Sequence, residues 1–214
     1  MSSQFKCIIF DCDGVLVDSE AIGNSVIVDL ANTLGANIDL NYAYRNFKGE
    51  SFNDIMQKIE RLTGKELPAN FEDTYRTTSF EAFRKNIKPI DGVLELVNDL
   101  KIPFCVASSG PEPKIRLNLE LTGLLPYFKD HIFSCYAIQK WKPDPAVFLW
   151  AANEMGFEPQ GCLVVEDSIV GVKAAKLGGF KVAGYTEHDY NNQLTNLVDF
   201  SFSTMSDLKA FLKQ

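Results

Sequence analysis

The chain has 214 residues, a formal net charge of -7, and 46% hydrophobic and 23% charged residues. That length fits one domain, or one domain with a sizeable insertion, and can bury a core without covalent staples. The composition excludes a disordered or collagen-like chain, no stretch nears the roughly 18 apolar residues of a membrane span, and the acidic excess argues against gripping nucleic acid by bulk charge.

The first predicted strand is Cys7-Ile8-Ile9-Phe10, which ends at Asp11. From about Ser19 to Ile87 the pattern turns helical, with no convincing strand. Ile22, Val26 and Leu30 lie four apart, and Ile55, Ile59 and Leu62 repeat at helical spacing before Gly64, a plausible stop. Phe71, Tyr75, Phe80 and Phe83 read as apolar faces of a helical bundle. Pro89-Ile90-Asp91-Gly92 then marks the return to alternating strands and helices. The later strands are Pro103-Phe104-Cys105-Val106-Ala107, His131-Ile132-Phe133-Ser134-Cys135, Cys162-Leu163-Val164-Val165, Lys181-Val182-Ala183-Gly184-Tyr185 and a weak Phe200-Ser201-Phe202. Runs this apolar are expected to be buried on both faces, in a parallel sheet covered by helices. The expected fold is therefore α/β: a Rossmann-like, doubly wound parallel sheet core, residues 1–17 and 88–214, with an inserted helical-bundle cap, residues 18–87.

The cysteine count is odd, at 5, and no Cys-x-x-Cys occurs. Cys7, Cys105, Cys135 and Cys162 sit in apolar runs and are expected to be buried. Neither a disulfide framework nor a zinc site is expected. Met1-Ser2-Ser3-Gln4 leads into the first strand with no signal-peptide pattern, so a cytoplasmic monomer without membrane partners is the expectation.

In open parallel sheets, ligands bind beyond the carboxyl ends of the strands. Asp11-x-Asp13, Ser108-Ser109-Gly110 and Glu166-Asp167 all fall at such ends and should share one rim. Asp11-Cys12-Asp13-Gly14 also reads as an Asp-Gly turn. A calcium loop fits less well, because Val15 follows and no ligand series comes after it. The carboxylates Asp11, Asp13, Glu166 and Asp167 would repel one another unless neutralised. Mg²⁺ suits them, since it takes a few carboxylates together with phosphate and water. The alternative for Glu166-Asp167 is a helix N-cap before Ile169. Ser108, Ser109 and Gly110 offer a hydroxyl and successive N–H groups to phosphate oxygens, or else a simple turn. Lys142 lies in the stiff segment Lys140-Trp141-Lys142-Pro143-Asp144-Pro145. Pro143 restricts its backbone and so fixes its direction; the alternative is a solvated surface lysine.

Phe10-Asp11-Cys12-Asp13-Gly14-Val15-Leu16-Val17-Asp18-Ser19-Glu20 resembles the signature of the haloacid dehalogenase-like (HAD) hydrolases. It is closest to their phosphatases and β-phosphoglucomutases, which carry a helical cap after the first strand. Ser108, Lys142 and Glu166-Asp167-Ser168 match the other motifs in order, and the resemblance spans about Phe5 to Thr186. It implies that Asp11 is the nucleophile, forming an aspartyl-phosphate, and that Asp13 is the general acid and then the general base. Asp11, the Asp13 carbonyl and Asp167 would hold Mg²⁺, with Glu166 a direct ligand or one step removed. Ser108, Ser109, Gly110 and Lys142 would hold the phosphoryl group. Dehalogenases of this superfamily lack an acid at the Asp13 position, which speaks against dehalogenation here.

The resemblance also separates phosphatase from mutase. The mutases carry a cap histidine where this chain has Gly23, and a cap arginine where it has Phe52. The expected function is thus hydrolysis of a small phosphorylated metabolite, a sugar or sugar-acid phosphate. A phosphosugar mutase is the alternative; the intact Asp11, Asp13, Ser108, Lys142 and Asp167 argue against a non-catalytic binder. Phe47-Lys48-Gly49, with the segment around Lys142, resembles bacterial sugar-phosphate phosphatases. Lys48, Gly49 and Glu50 are expected to select the substrate.

Overall fold

A computed structural model describes residues 5–47, 50–187, 189 and 192–213. The chain divides into two compact units, Met1–Val17 with Lys88–Gln214, and Asp18–Ile87.

The first unit is built on six parallel strands: β1 (Cys7–Phe10), β2 (Phe104–Ser108), β3 (Ile132–Ser134), β4 (Cys162–Glu166), β5 (Lys181–Tyr185) and β6 (Phe200–Phe202). Their order is β3-β2-β1-β4-β5-β6. Ile9 of β1 sits opposite Cys105 of β2 and Val164 of β4. Every residue of β1 and of β4 is buried, which explains their unbroken apolar runs. Within the described residues, α9 (Ala146–Glu154) turns Val147, Phe148, Ala151 and Ala152 into the same core as Cys7, Ile9, Cys105 and Val164.

The return from the insertion is pinned by the backbone. Pro89 bridges Val17, and Ile90 N–H donates to the Leu16 carbonyl at 3.0 Å. Gly92, at φ 81°, then begins α5 (Val93–Asp99).

The second unit holds α1 (Glu20–Thr33), α2 (Leu40–Asn46), α3 (Phe52–Thr63) and α4 (Phe71–Asn86). Ser51 caps α3 by accepting from Asp54 N–H, and Gly64 ends it at φ 65°. Ile27, Val28, Ala31, Ile59 and Phe71 form its core. The inward face of α1 is therefore displaced from the Ile22-Val26-Leu30 line; of those three, only Val26 is buried.

The third strand also ends earlier than its apolar run suggests. The Ser134 hydroxyl accepts from Tyr136 N–H at 3.2 Å and caps a short helix, α8 (Cys135–Ile138). Cys135 thus opens a helix rather than closing a strand. No described helix is long and apolar enough to cross a membrane.

Candidate active site

Strand order reverses between β1 and β4, so the crevice beyond their carboxyl ends is the expected ligand position in a sheet of this kind. Asp11 follows β1 directly, and its N–H donates to the Val165 carbonyl at 2.9 Å. Its buried carboxylate meets Lys142, whose Nζ lies 2.5 Å from Asp11 Oδ1. The same ammonium donates to Glu166 Oε1 at 2.6 Å and to the Ala107 carbonyl at 3.3 Å. It sits 4.7 Å from the Phe148 ring centroid. One cation thereby ties together the ends of β1, β2 and β4. The Lys142–Pro143 peptide is cis.

Glu166 is fully buried and has partners on both oxygens. Lys142 bonds Oε1, while Oε2 accepts from the N–H groups of Asp167 and Ser168 at 3.0 Å each and from Ser168 Oγ at 2.9 Å. Ser168 also caps α10 (Ile169–Leu177), accepting from Gly171 N–H at 3.1 Å. The N-cap alternative thus holds for Ser168, and the cap and the acidic pair are one construction. Room for Glu166 depends on Gly171, where a Cβ would fall 1.8 Å from Oε1. Asp167, also buried, lies against Gly14, where a Cβ would fall 2.4 Å from Oδ2.

Ligand oxygens of Asp11, Glu166 and Asp167 lie within 4.8 Å of one another. The Asp13 side chain is directed elsewhere, to Lys114, whose Nζ is 2.8 Å from both carboxylate oxygens. Ser108 is buried, and its hydroxyl accepts from Gly110 N–H at 3.0 Å. Ser134 Oγ donates to the Gly110 carbonyl at 2.7 Å and so braces this loop from β3. Ser109 directly follows β2 and is half-buried.

Burial pushes the Asp11 carboxyl well above the ordinary carboxylate range; Lys142 opposes this, and Glu166, Asp167 and Asp13 add to it. For Lys142, burial works against the charged form, but Asp11 and Glu166 outweigh it and the net direction is up. Among the described residues, four carboxylates thus face two ammonium groups, Lys142 and Lys114. A hard divalent cation fits this donor set: close-spaced carboxylate oxygens with an excess of negative charge.

Lys114, Ser134 and Gly171 were not expected as site residues. Ser134 was hidden because the run around it reads as strand through Cys135. Lys114 had one local signal: it stands in the first turn of α6 (Glu112–Leu121), where the helix dipole disfavours a cation. Of the expected selectivity residues, Lys48 and Gly49 lie outside the described residues. Glu50 pairs with Lys58 at 3.0 Å within its own unit. Phe52 stacks on Tyr75, centroids 4.6 Å apart, and a Cβ at Gly23 would lie 3.2 Å from the Tyr75 hydroxyl.

Residues 5–179 match the family model described as haloacid dehalogenase-like hydrolase. The chain is 31% identical over 212 residues to 6-phosphogluconate phosphatase of Escherichia coli (strain K12), covering 99% of this chain and 96% of that protein. It is 27% identical over 190 residues to the phosphorylated carbohydrates phosphatase of Thermotoga maritima, covering 87% of this chain and 88% of that one. Among solved structures, a conserved haloacid dehalogenase-like protein of unknown function from Agrobacterium tumefaciens matches with a TM-score of 0.86 at 32% identity, over 98% of each chain.

Proposed function

The chain belongs to the haloacid dehalogenase-like hydrolases, and we propose that it is a Mg²⁺-dependent phosphatase of small phosphomonoesters, sugar or sugar-acid phosphates, acting through an aspartyl-phosphate. One observation carries the reading. A buried carboxylate, Asp11, is held 2.5 Å from Lys142 inside an acidic cluster at the sheet's switch point. A structural ion pair would not need the further acids around it.

Asp11 attacks phosphorus through one carboxylate oxygen, and the bond from phosphorus to the leaving oxygen breaks. Asp13 gives that oxygen a proton. Water then attacks the phosphorus of the acyl phosphate and passes a proton back to Asp13. The bond to Asp11 breaks and inorganic phosphate leaves. Ser108 and the N–H groups after it orient the phosphoryl oxygens, and Lys142 offsets their charge. Asp11, Asp167 and the Asp13 carbonyl would hold Mg²⁺, which when bound lowers the repulsion between carboxylate and phosphate dianion. Both oxygens of Glu166 already carry partners, which supports a role in holding Lys142 rather than the ion.

Two observations favour hydrolysis over the mutase alternative. Gly23 offers no imidazole, and Phe52 is engaged in an aromatic stack rather than presenting a cation. The substrate class is supported by the phosphorylated sugars and sugar acid named for the relatives. The test is turnover of p-nitrophenyl phosphate and a panel including 6-phosphogluconate, with Mg²⁺. Asp11→Asn should lose about a thousandfold or more, together with the acid-stable, hydroxylamine-labile phosphate carried by the wild type. Activity retained in Asp11→Asn would remove the nucleophile assignment. Glucose 1-phosphate conversion that depends on a bisphosphate primer would favour the mutase.

A further inference from the structure

We infer that Lys114 is a positioning residue for Asp13, aiming the acid-base carboxylate across the loop that follows β2. The inference rests on the role proposed above for Asp13. Lys114 Nζ bonds both Asp13 oxygens at 2.8 Å. The pair joins residues 101 apart in sequence, and their side chains are only 21% and 25% exposed.

Two observations set it apart from an ordinary surface pair. The first is its site. A Cβ built on Gly110 would lie 3.6 Å from both Asp13 Oδ2 and Lys114 Cδ, and 3.4 Å from Ser108 Oγ. The ion pair therefore packs on the backbone of the segment proposed to hold the phosphoryl group. The second is its cost to the helix. Lys114 is the third residue of α6, where the unsatisfied N–H groups favour anions and disfavour an ammonium. Helix stability does not explain a cation there; the carboxylate it holds does.

A carboxylate on a loop has rotational freedom, and proton transfer requires it within hydrogen-bond reach of the leaving oxygen. A two-point contact from a helix removes that freedom. Asp11 has its own cation in Lys142, so each catalytic aspartate is held by a separate lysine, one from the loop before α9 and one from α6. The inference predicts that Lys114 matters most where the leaving oxygen needs a proton.

The experiment compares kcat/KM for an alkyl phosphate and for p-nitrophenyl phosphate in wild type, Lys114→Met, Lys114→Arg and Asp13→Asn. Circular dichroism serves as a folding control. The nitrophenolate leaves without acid help, whereas an alkoxide does not. Lys114→Met should lose about tenfold or more on the alkyl ester and about twofold or less on the aryl ester. Lys114→Arg should recover part of the loss, and Asp13→Asn should show the same preference more strongly. An equal loss on both esters in Lys114→Met, with Asp13→Asn selective as expected, would overturn the role of Lys114 alone. An Asp13→Asn variant that treats both esters like wild type would instead remove the acid-base role of Asp13.

Discussion

At the scale of single residues, the tightest constraint lies in the berth of Glu166. Its carboxylate is buried with both oxygens partnered, by four groups: Lys142, two backbone N–H groups and the Ser168 hydroxyl. That arrangement leaves no space at Gly171, whose backbone is ordinary helix. Gly171→Ala should raise helix propensity by about 1 kcal/mol, yet a Cβ 1.8 Å from Oε1 must displace the carboxylate. We predict a net loss of roughly 2 kcal/mol and a fall in kcat of about tenfold or more, because Lys142 loses one of its two carboxylate partners. Urea midpoints and steady-state kinetics check this. A variant as stable and as active as wild type would show that Glu166 can move aside at no cost. Only half of this arrangement is legible locally. A polar pair after an apolar strand marks Glu166-Asp167, but nothing near Gly171 announces that its hydrogen is required. Lys114 carries one local hint, its place in the first turn of α6, but its partner is 101 residues away and nothing nearby points to it.

At the scale of elements, the strands are legible because burial on both faces leaves an unbroken apolar run, as in β1 and β4. The edge strand β6 is only three residues long and alternates in exposure; it buries Phe202 and stacks Phe200 on Phe211, and a polar clamp adds to that packing. Asp199, just before it, accepts from Val182 N–H at 2.9 Å and from Lys181 at 2.9 Å, and it also pairs with Lys176 of α10. Burial raises the Asp199 carboxyl, but Lys176, Val182 N–H and Lys181 outweigh it and bring it down to about 2. A carboxylate so lowered contributes its stability above its unfolded value near 4 and loses it as the pH falls towards 2. Asp199→Asn should therefore destabilise by on the order of 1 kcal/mol at pH 7, after allowing for solvent screening. The difference from wild type should shrink at pH 3. Chemical denaturation at the two pH values measures both numbers. A constant difference would mean that the carboxylate's charge does not fasten β6. Short helices escape sequence patterning for a related reason: α8 forms because Ser134 caps it, and its four residues carry no periodicity to read.

At the scale of the whole chain, the five cysteines test how the core is partitioned. Cys7, Cys12, Cys105, Cys135 and Cys162 are all buried thiols, and all belong to the unit that carries the sheet. The inserted unit, Asp18–Ile87, contains none. Cys7 and Cys162 face each other across β1 and β4. A hydrogen bond with Cys105, with burial, pushes the Cys7 thiol up to about 12. A hydrogen bond with Cys7 raises Cys162, and burial raises Cys12 and Cys135. Thiolate is the reactive form, so access and ionisation both protect these groups. In the native protein a thiol reagent such as DTNB should therefore meet almost no reactive cysteine over minutes at pH 8, and denaturant should release all five. Labelling then reports the opening of the sheet unit alone, because the insertion is silent to the reagent. Both units contribute helical signal, so the part of it lost before any thiol is labelled asks whether the helical insertion can melt while the sheet holds. Fast labelling of Cys7, Cys105 or Cys162 in the folded protein would show that the packing joining β1, β2 and β4, on which the positions of Asp11 and Asp167 depend, is looser than the burial of these strands requires.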